Sequence, residues 1–149
     1  MNDILPREAA ERIEAGETVH FIDVRSRREF RAGHPASAVN IPLAEPSASG
    51  QMEANPEFAL VVESLVPDRS SVIFLSCQMG GRSRRAMKLL AKRGYENLFN
   101  VEGGFGGRRD PHTGEILVAG WQSEGLPVSD DNSEGVSYES LRARAGFSS

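Results

Sequence analysis

The chain has 149 residues, a formal charge of −4 and one cysteine. That length allows a single domain with a real core, and the acidic balance, with no dense basic stripe, argues against a nucleic-acid partner. One cysteine cannot close an intrachain disulfide, which fits a reducing compartment.

The opening MNDILPREAAER has no apolar signal core, and no run approaches membrane-spanning length. The expectation is a cytoplasmic protein without a membrane partner. Leu5, Ala9 and Ile13 then recur at helical spacing, with Pro6 suited to a first helical position and Gly16 to the end. Residues 18–22 read as a strand, in which His20 is an ordinary packed imidazole. Asp23, Val24 and Arg25 close that strand. Ser26 and Glu29 have capping-box spacing and open a short helix running through Phe30 and Ala32 to Gly33. Residues 38–41 form a short strand stopped by Pro42. Residues 43–52, rich in Pro, Ser, Ala and Gly, read as a loop. Asn55, Pro56 and Glu57 predict a helix start, with asparagine as cap and proline at the first position. Phe58, Val61, Val62 and Leu65 give that helix its apolar face.

The stretch 72–92, VIFLSCQMGGRSRRAMKLLAK, organises the rest. Val72, Ile73, Phe74 and Leu75 run without a polar break, as in a buried parallel strand. From Ser83 the period changes to helical, placing Ala86, Leu89, Leu90 and Arg93 on one face, and Gly94 stops the helix. Cys77 therefore falls between the carboxyl end of a strand and the amino end of a helix. Backbone N–H groups of such a loop form an anion-binding nest, the helix terminus adds partial positive charge, and Arg82 adds a full one. A thiol there is expected to ionise easily and to be reactive rather than a small buried hydrophobe.

A strand over residues 98–101 follows. The run Glu102-Gly103-Gly104-Phe105-Gly106-Gly107 does not fit the dinucleotide pattern G-x-G-x-x-G, because Arg109 stands where the last glycine belongs. Residues 107–114 read as a surface hairpin or loop. Asp110 and His112 lack a third metal ligand, and Trp121 is expected in the core. Residues 129–137 are polar and acidic like a linker, and residues 138–145 have helix propensity. Alternation of strands and helices predicts a parallel α/β sheet with right-handed crossovers and helices on both faces.

CQMGGRS resembles the active loop of rhodaneses, the persulfide-forming sulfurtransferases, whose pattern C-x-x-G-x-[RST]-[ST] is matched by Cys77, Gly80, Arg82 and Ser83. The resemblance extends to Ile22-Asp23-Val24-Arg25, Glu29-Phe30, Gly33-His34, Ala38-Val39-Asn40-Ile41-Pro42 and Val101-Glu102-Gly103-Gly104 in the family's order, and to the closing segment from Trp121 to Val128. It implies a rhodanese-like domain over residues 1–128, with five strands in doubly wound order, and a tail over 129–149 outside the catalytic core. A chain ending at Val128 is then expected to stay folded and active. Residues 105–114 look like an insertion.

For chemistry, the resemblance implies Cys77 as nucleophile, with Gln78, Met79, Gly80, Gly81, Arg82 and Ser83 binding substrate. The cysteine would take a sulfane sulfur from thiosulfate or another small anionic donor and pass it to cyanide or a thiol, with a protein sulfur-relay partner as a possible acceptor. No metal or organic cofactor is needed. Asp23 is read as a carboxylate holding Arg25 or loop N–H groups rather than as a general base, and His34 as a connector. Where some family members have a basic residue directly after the cysteine, this chain has Gln78, which leaves the donor one cation short. Two alternatives stay open. A non-enzymatic relay or binding module would have the same loop. A cysteine-dependent phosphatase would need H-C-x5-R, whereas Ser76 precedes Cys77 and only four residues separate Cys77 from Arg82.

Overall fold

Residues 2–148 are described by the computed structural model. Its centre is a five-stranded, all-parallel sheet of β1 (Asn2–Ile4), β2 (His20–Asp23), β3 (Val39–Asn40), β4 (Val72–Ser76) and β5 (Asn97–Val101), in the order β1-β5-β4-β2-β3. The helices are α1 (Pro6–Glu14), α2 (Arg27–Ala32), α3 (Phe58–Leu65), α4 (Gly81–Lys92) and α5 (Tyr138–Arg144).

The central strands are apolar on both faces because both are covered. Their alternation sorts the core into two layers. Ile22, Ile73, Leu75 and Leu98 pack with Val61 and Val62 of α3 and with Ala86, Met87 and Leu90 of α4. Phe21, Phe74 and Val101 point the other way, to Ala9 of α1, Phe30 of α2 and Trp121. Each such large side chain contributes about 1.5–3 kcal/mol when fully buried. From β2 the chain steps to β3 on one side, and from β4 to β5 on the other. The order therefore reverses between β2 and β4, where Asp23 and Ser76 are register partners. Doubly wound sheets bind ligands in this crevice, outside the carboxyl ends of the strands.

Several local expectations are corrected. Residues 43–52 are not loop throughout, since Ala44–Pro46 pairs with Met52–Ala54 as an antiparallel ribbon turned at Gly50, φ 87°. The ribbon is largely exposed, so no apolar alternation marks it in the sequence. Helix α3 starts at Phe58 rather than at Pro56. Asn55 accepts from the Glu57 N–H at 3.0 Å in a turn that precedes the helix. On α4 the buried face is Ser83, Ala86, Met87 and Leu90, while Leu89 is exposed. Leu5 is likewise exposed, capping α1 without joining its apolar face. Around the proposed insertion, Arg108–Arg109 pairs with Ile116–Val118. There Asp110 accepts from the N–H groups of His112 and Thr113, an ordinary turn use of the carboxylate.

The tail, expected outside the catalytic core, packs against the domain. Helix α5 is capped by Ser137 and seated on α3, with Tyr138 and Leu141 buried in the same core layer as Val61 and Val62. The Tyr138 hydroxyl donates to Glu57 Oε2 at 2.7 Å and accepts from Asn55 Nδ2 at 2.9 Å. Arg142 holds both Glu57 oxygens, its Nε reaching Oε2 at 2.8 Å. Tail and domain therefore share one core, although nothing in the acidic linker signals it. Among the described residues, no helix is long and apolar enough to cross a membrane.

A chain ending at Val128 should lose two buried side chains worth about 1.5–3 kcal/mol each, measurable as a lower urea midpoint than that of the full chain; equal midpoints would contradict the docking. The Arg142 bonds pull the Glu57 carboxyl down to about 2 against its ordinary 4.5, with burial opposing and the Tyr138 bond assisting. A depressed carboxylate lets the unfolded chain bind the proton first, so its contribution is full above the ordinary glutamate range and is lost as pH falls towards 2. The fall in urea midpoint over that window should be smaller in Glu57→Gln. An identical acid limb would show that the pair contributes nothing.

Candidate active site

Cys77 follows β4 at the point where the sheet order reverses, and α4 begins four residues later at Gly81. The turn between them requires Gly80, whose φ of 108° lies where other residues are strained. This conformation directs the Gly80 N–H to Cys77 Sγ at 3.1 Å. The backbone N–H groups of Gln78, Met79, Gly81, Arg82 and Ser83 have no acceptor among the described residues. Together with the amino end of α4 they form a positive cradle beside the sulfur. Cys77 is only 1% exposed, yet it forms the floor of an open pocket of about 280 Å³ lined also by Gln78, Met79, Gly81, Arg82 and Arg85.

The loop is held from below by backbone that approaches closely enough to require glycine at Gly104, while Gly106 leaves room for the Gln78 side chain. Phe105 N–H donates to Cys77 O at 2.7 Å, and Gly106 N–H to Gln78 O at 3.0 Å. A Cβ on Gly104 would lie 2.3 Å from Cys77 O, and one on Gly106 would lie 2.0 Å from Gln78 Nε2. The glycine run after β5 is thus the buttress of the cysteine loop. Sequence reasoning rejected a dinucleotide loop there but missed this use; the signal was the glycine pair directly following a strand.

Arg25 is the second support, also unassigned from sequence. It is buried against Asp23 at 2.8 Å, donates to Gly33 O at 2.7 Å and to Gln78 Oε1 at 3.2 Å, and lies 4.5 Å over the Phe105 ring. Gln78 is therefore tied to Arg25 and packed on Gly106 as well as lining the pocket. Asp23 takes the Arg25 N–H and guanidinium, in keeping with a structural carboxylate. His34 stacks on Phe30 at 3.5 Å between ring centroids, its Nδ1 2.8 Å from Phe30 O, as a packed connector.

Arg82, expected to add a full positive charge to the loop, is also paired with a carboxylate. Its Nη1 and Nη2 donate to Glu29 at 2.7 and 3.0 Å. Burial works to raise the Glu29 carboxyl, but the bonds from Arg82 and Ser26 outweigh it and bring the group down to about 2. The same bond to Glu29 raises Arg82, and the nearby Cys77 and Asp23 add to that. The capping box of α2, present as expected, thus places a carboxylate against the loop's arginine. Arg85, exposed at the pocket wall, has no ion pair among the described residues. Met79 is 59% exposed at the rim. Ser83 is fully buried, with its Oγ 3.3 Å from Cys77 Sγ.

Comparison with known proteins agrees with this geometry. A family model described as the rhodanese-like domain matches residues 5–107. Thiosulfate sulfurtransferase 16, chloroplastic, of Arabidopsis thaliana is 33% identical over 108 residues, covering 72% of this chain and 78% of that protein. Thiosulfate sulfurtransferase GlpE of Haemophilus influenzae is 32% identical over 105 residues, 70% of this chain and 85% of that one. The crystal structure of Rv0390 from M. tuberculosis superposes with a TM-score of 0.68 at 26% identity, covering 88% of this chain and 98% of that one. With its cysteine loop at the reversal point of a five-stranded parallel sheet, the chain belongs to the rhodanese-like domain family.

Proposed function

We propose that the protein is a sulfurtransferase that carries a sulfane sulfur on Cys77. One juxtaposition supports this reading above all others. The only cysteine lies at the floor of an open pocket, bonded by the Gly80 N–H and surrounded by loop N–H groups that have no other acceptor. Such a cradle stabilises a sulfur anion as an oxyanion hole stabilises oxygen. It suits both a thiolate and the terminal sulfur of a persulfide.

In the first step the Cys77 thiolate attacks the outer sulfur of thiosulfate. A new S–S bond forms, the donor's S–S bond breaks, and sulfite leaves with its electron pair. In the second step cyanide or a thiolate attacks the outer persulfide sulfur, thiocyanate or a new persulfide leaves, and the Cys77 thiolate is restored. Residues 78–83 hold the charge in both steps, and Arg25 keeps Gln78 and the loop in place. With the Arg82 nitrogens engaged by Glu29, Arg85 is the guanidinium available to meet the sulfonate of an anionic donor. The exposed Met79 gives the rim an apolar contact for the chain bearing an acceptor thiol, so a protein sulfur-relay partner fits the same opening.

The phosphatase alternative is disfavoured by the same geometry. A phosphoryl group presents three equatorial oxygens, and Arg82, the arginine that ends the cysteine loop, is bonded twice to Glu29 rather than turned towards them. A cradle with four residues between Cys77 and Arg82 suits one added sulfur better than a tetrahedral group.

Thiocyanate release from thiosulfate and cyanide tests the proposal. Wild-type protein should turn over, and Cys77→Ser, nearly isosteric and folded, should fall to the uncatalysed rate. Turnover surviving in folded Cys77→Ser would end the mechanism. In the same assay Arg85→Ala should raise KM for thiosulfate about tenfold, equivalent to about 1.4 kcal/mol, with kcat little changed and a larger effect at low salt. An unchanged KM would mean that the N–H groups of the loop capture the donor without Arg85.

A further inference from the structure

The Ser83 hydroxyl has one proton and three neighbours. Its oxygen lies 3.3 Å from Cys77 Sγ, 3.2 Å from Gly80 O, and closer still to Asn100 Oδ1. Which neighbour receives the proton is decided farther out. Asn100 Nδ2 donates to Asp3 Oδ1 at 3.1 Å, and a carboxylate only accepts. The amide is thereby oriented with its oxygen towards Ser83, and the hydroxyl must donate to it. Both close competitors for the proton are carbonyl oxygens, so the hydroxyl presents a lone pair to the sulfur. A lone pair accepts from S–H and repels S⁻.

Asp3 and Asn100 are register partners across the β1–β5 pairing, so the sheet itself sets their approach. Asp3 is also joined to Arg84 of α4 at 3.3 Å, which closes a ring from the sheet edge to the helix that bears Ser83. Asn100 and Ser83 are fully buried, so water cannot substitute for either partner without opening the core.

We infer that Asp3, acting through Asn100, is a positioning residue that turns the Ser83 hydroxyl away from Cys77 and so opposes the thiolate that the Gly80 N–H and the loop cradle favour. Conversion to the nucleophile then has two coupled parts. The S–H proton leaves through the pocket to water, and the Ser83 hydroxyl rotates to donate to the thiolate, releasing Asn100 Oδ1. The inference rests on Cys77 being the nucleophile of the proposed function, but it concerns the thiol before any donor binds.

Other charges surround the sulfur. Arg82 is paired with Glu29 of α2, Arg25 with Asp23 of β2, Arg84 with Asp3 of β1, and Arg85 stands at the pocket wall. Removing Asp3 therefore also changes the local field, and the test must separate field from hydroxyl direction. Alkylation of Cys77 by iodoacetamide across pH does so in four full-length proteins: wild type, Asp3→Ala, Ser83→Ala and the double variant. The Asp3 side chain is 41% exposed, so its removal leaves the core intact.

Asp3→Ala should free the amide and let Ser83 donate to sulfur. The alkylation midpoint should move down by about half a pH unit, seen as roughly threefold faster reaction below the midpoint. In the Ser83→Ala background the same change should move it little. An equal shift in both backgrounds would show that Asp3 acts only as a charge and would overturn the inference. So would no shift, or an upward one, in the Ser83 protein. Thiocyanate release is measured on the same samples. Its absence beside a Ser83-dependent shift would defeat the sulfurtransferase reading and leave this inference standing.

Discussion

The buried pair of Asp23 and Arg25 is the interaction on which the site depends. Removing two opposite charges from water costs several kcal/mol per ion unless their remaining hydrogen bonds are met. Here every nitrogen of the guanidinium and both carboxylate oxygens have a partner. Asp23 takes the Arg25 backbone N–H and three contacts from the guanidinium, while the guanidinium also reaches Gly33 O and Gln78 Oε1. Asn40 secures the backbone on either side by donating to Asp23 O and Arg25 O. One residue thus connects the end of β2, the turn after α2 and the cysteine loop. Truncating either ion would leave the other buried and unpaired, a loss of about 3–5 kcal/mol by analogy with other buried pairs. The loop would lose its lateral restraint with it.

The second constraint is closeness of backbone. The segment after β5 bonds to the carbonyls of Cys77 and Gln78, at a distance that no Cβ on Gly104 would allow. Cysteine loop, Arg25 and glycine run therefore interlock. Fixing the carbonyls of the loop from below leaves its N–H groups free of intramolecular acceptors. That is the condition for a preorganised anion cradle, because the donors need no rearrangement when charge arrives.

The main lines of the fold were legible because the sequence is locally consistent. The unbroken apolar run of Val72 to Leu75, the Ser26–Glu29 capping box and the helix stop at Gly94 each have a direct physical signature. What escaped notice depended on contacts between distant segments. The ribbon around Gly50 is exposed and has no period to detect. Helix α5 docks through Tyr138, Arg142 and Glu57, residues some eighty positions apart that read separately as an amphipathic helix and a helix start. At the site, Cys77 and Ser83 followed from motif spacing. The engagement of Arg82 by Glu29 did not, since a capping residue gives no sign that its carboxylate also faces another helix. The bond between Ser83 and Asn100 required knowing that β5 lies beside β4.

The central claim is that the chain carries sulfur on Cys77 as a persulfide. Intact mass measurement after exposure to thiosulfate tests it most directly, because a lone cysteine leaves no second thiol to confuse the result. The mass should rise by one sulfur atom and return to its starting value on addition of cyanide, with thiocyanate released in equal amount. An unchanged mass in folded protein with an accessible thiol, or thiocyanate release without the added sulfur ever appearing on the chain, would contradict it.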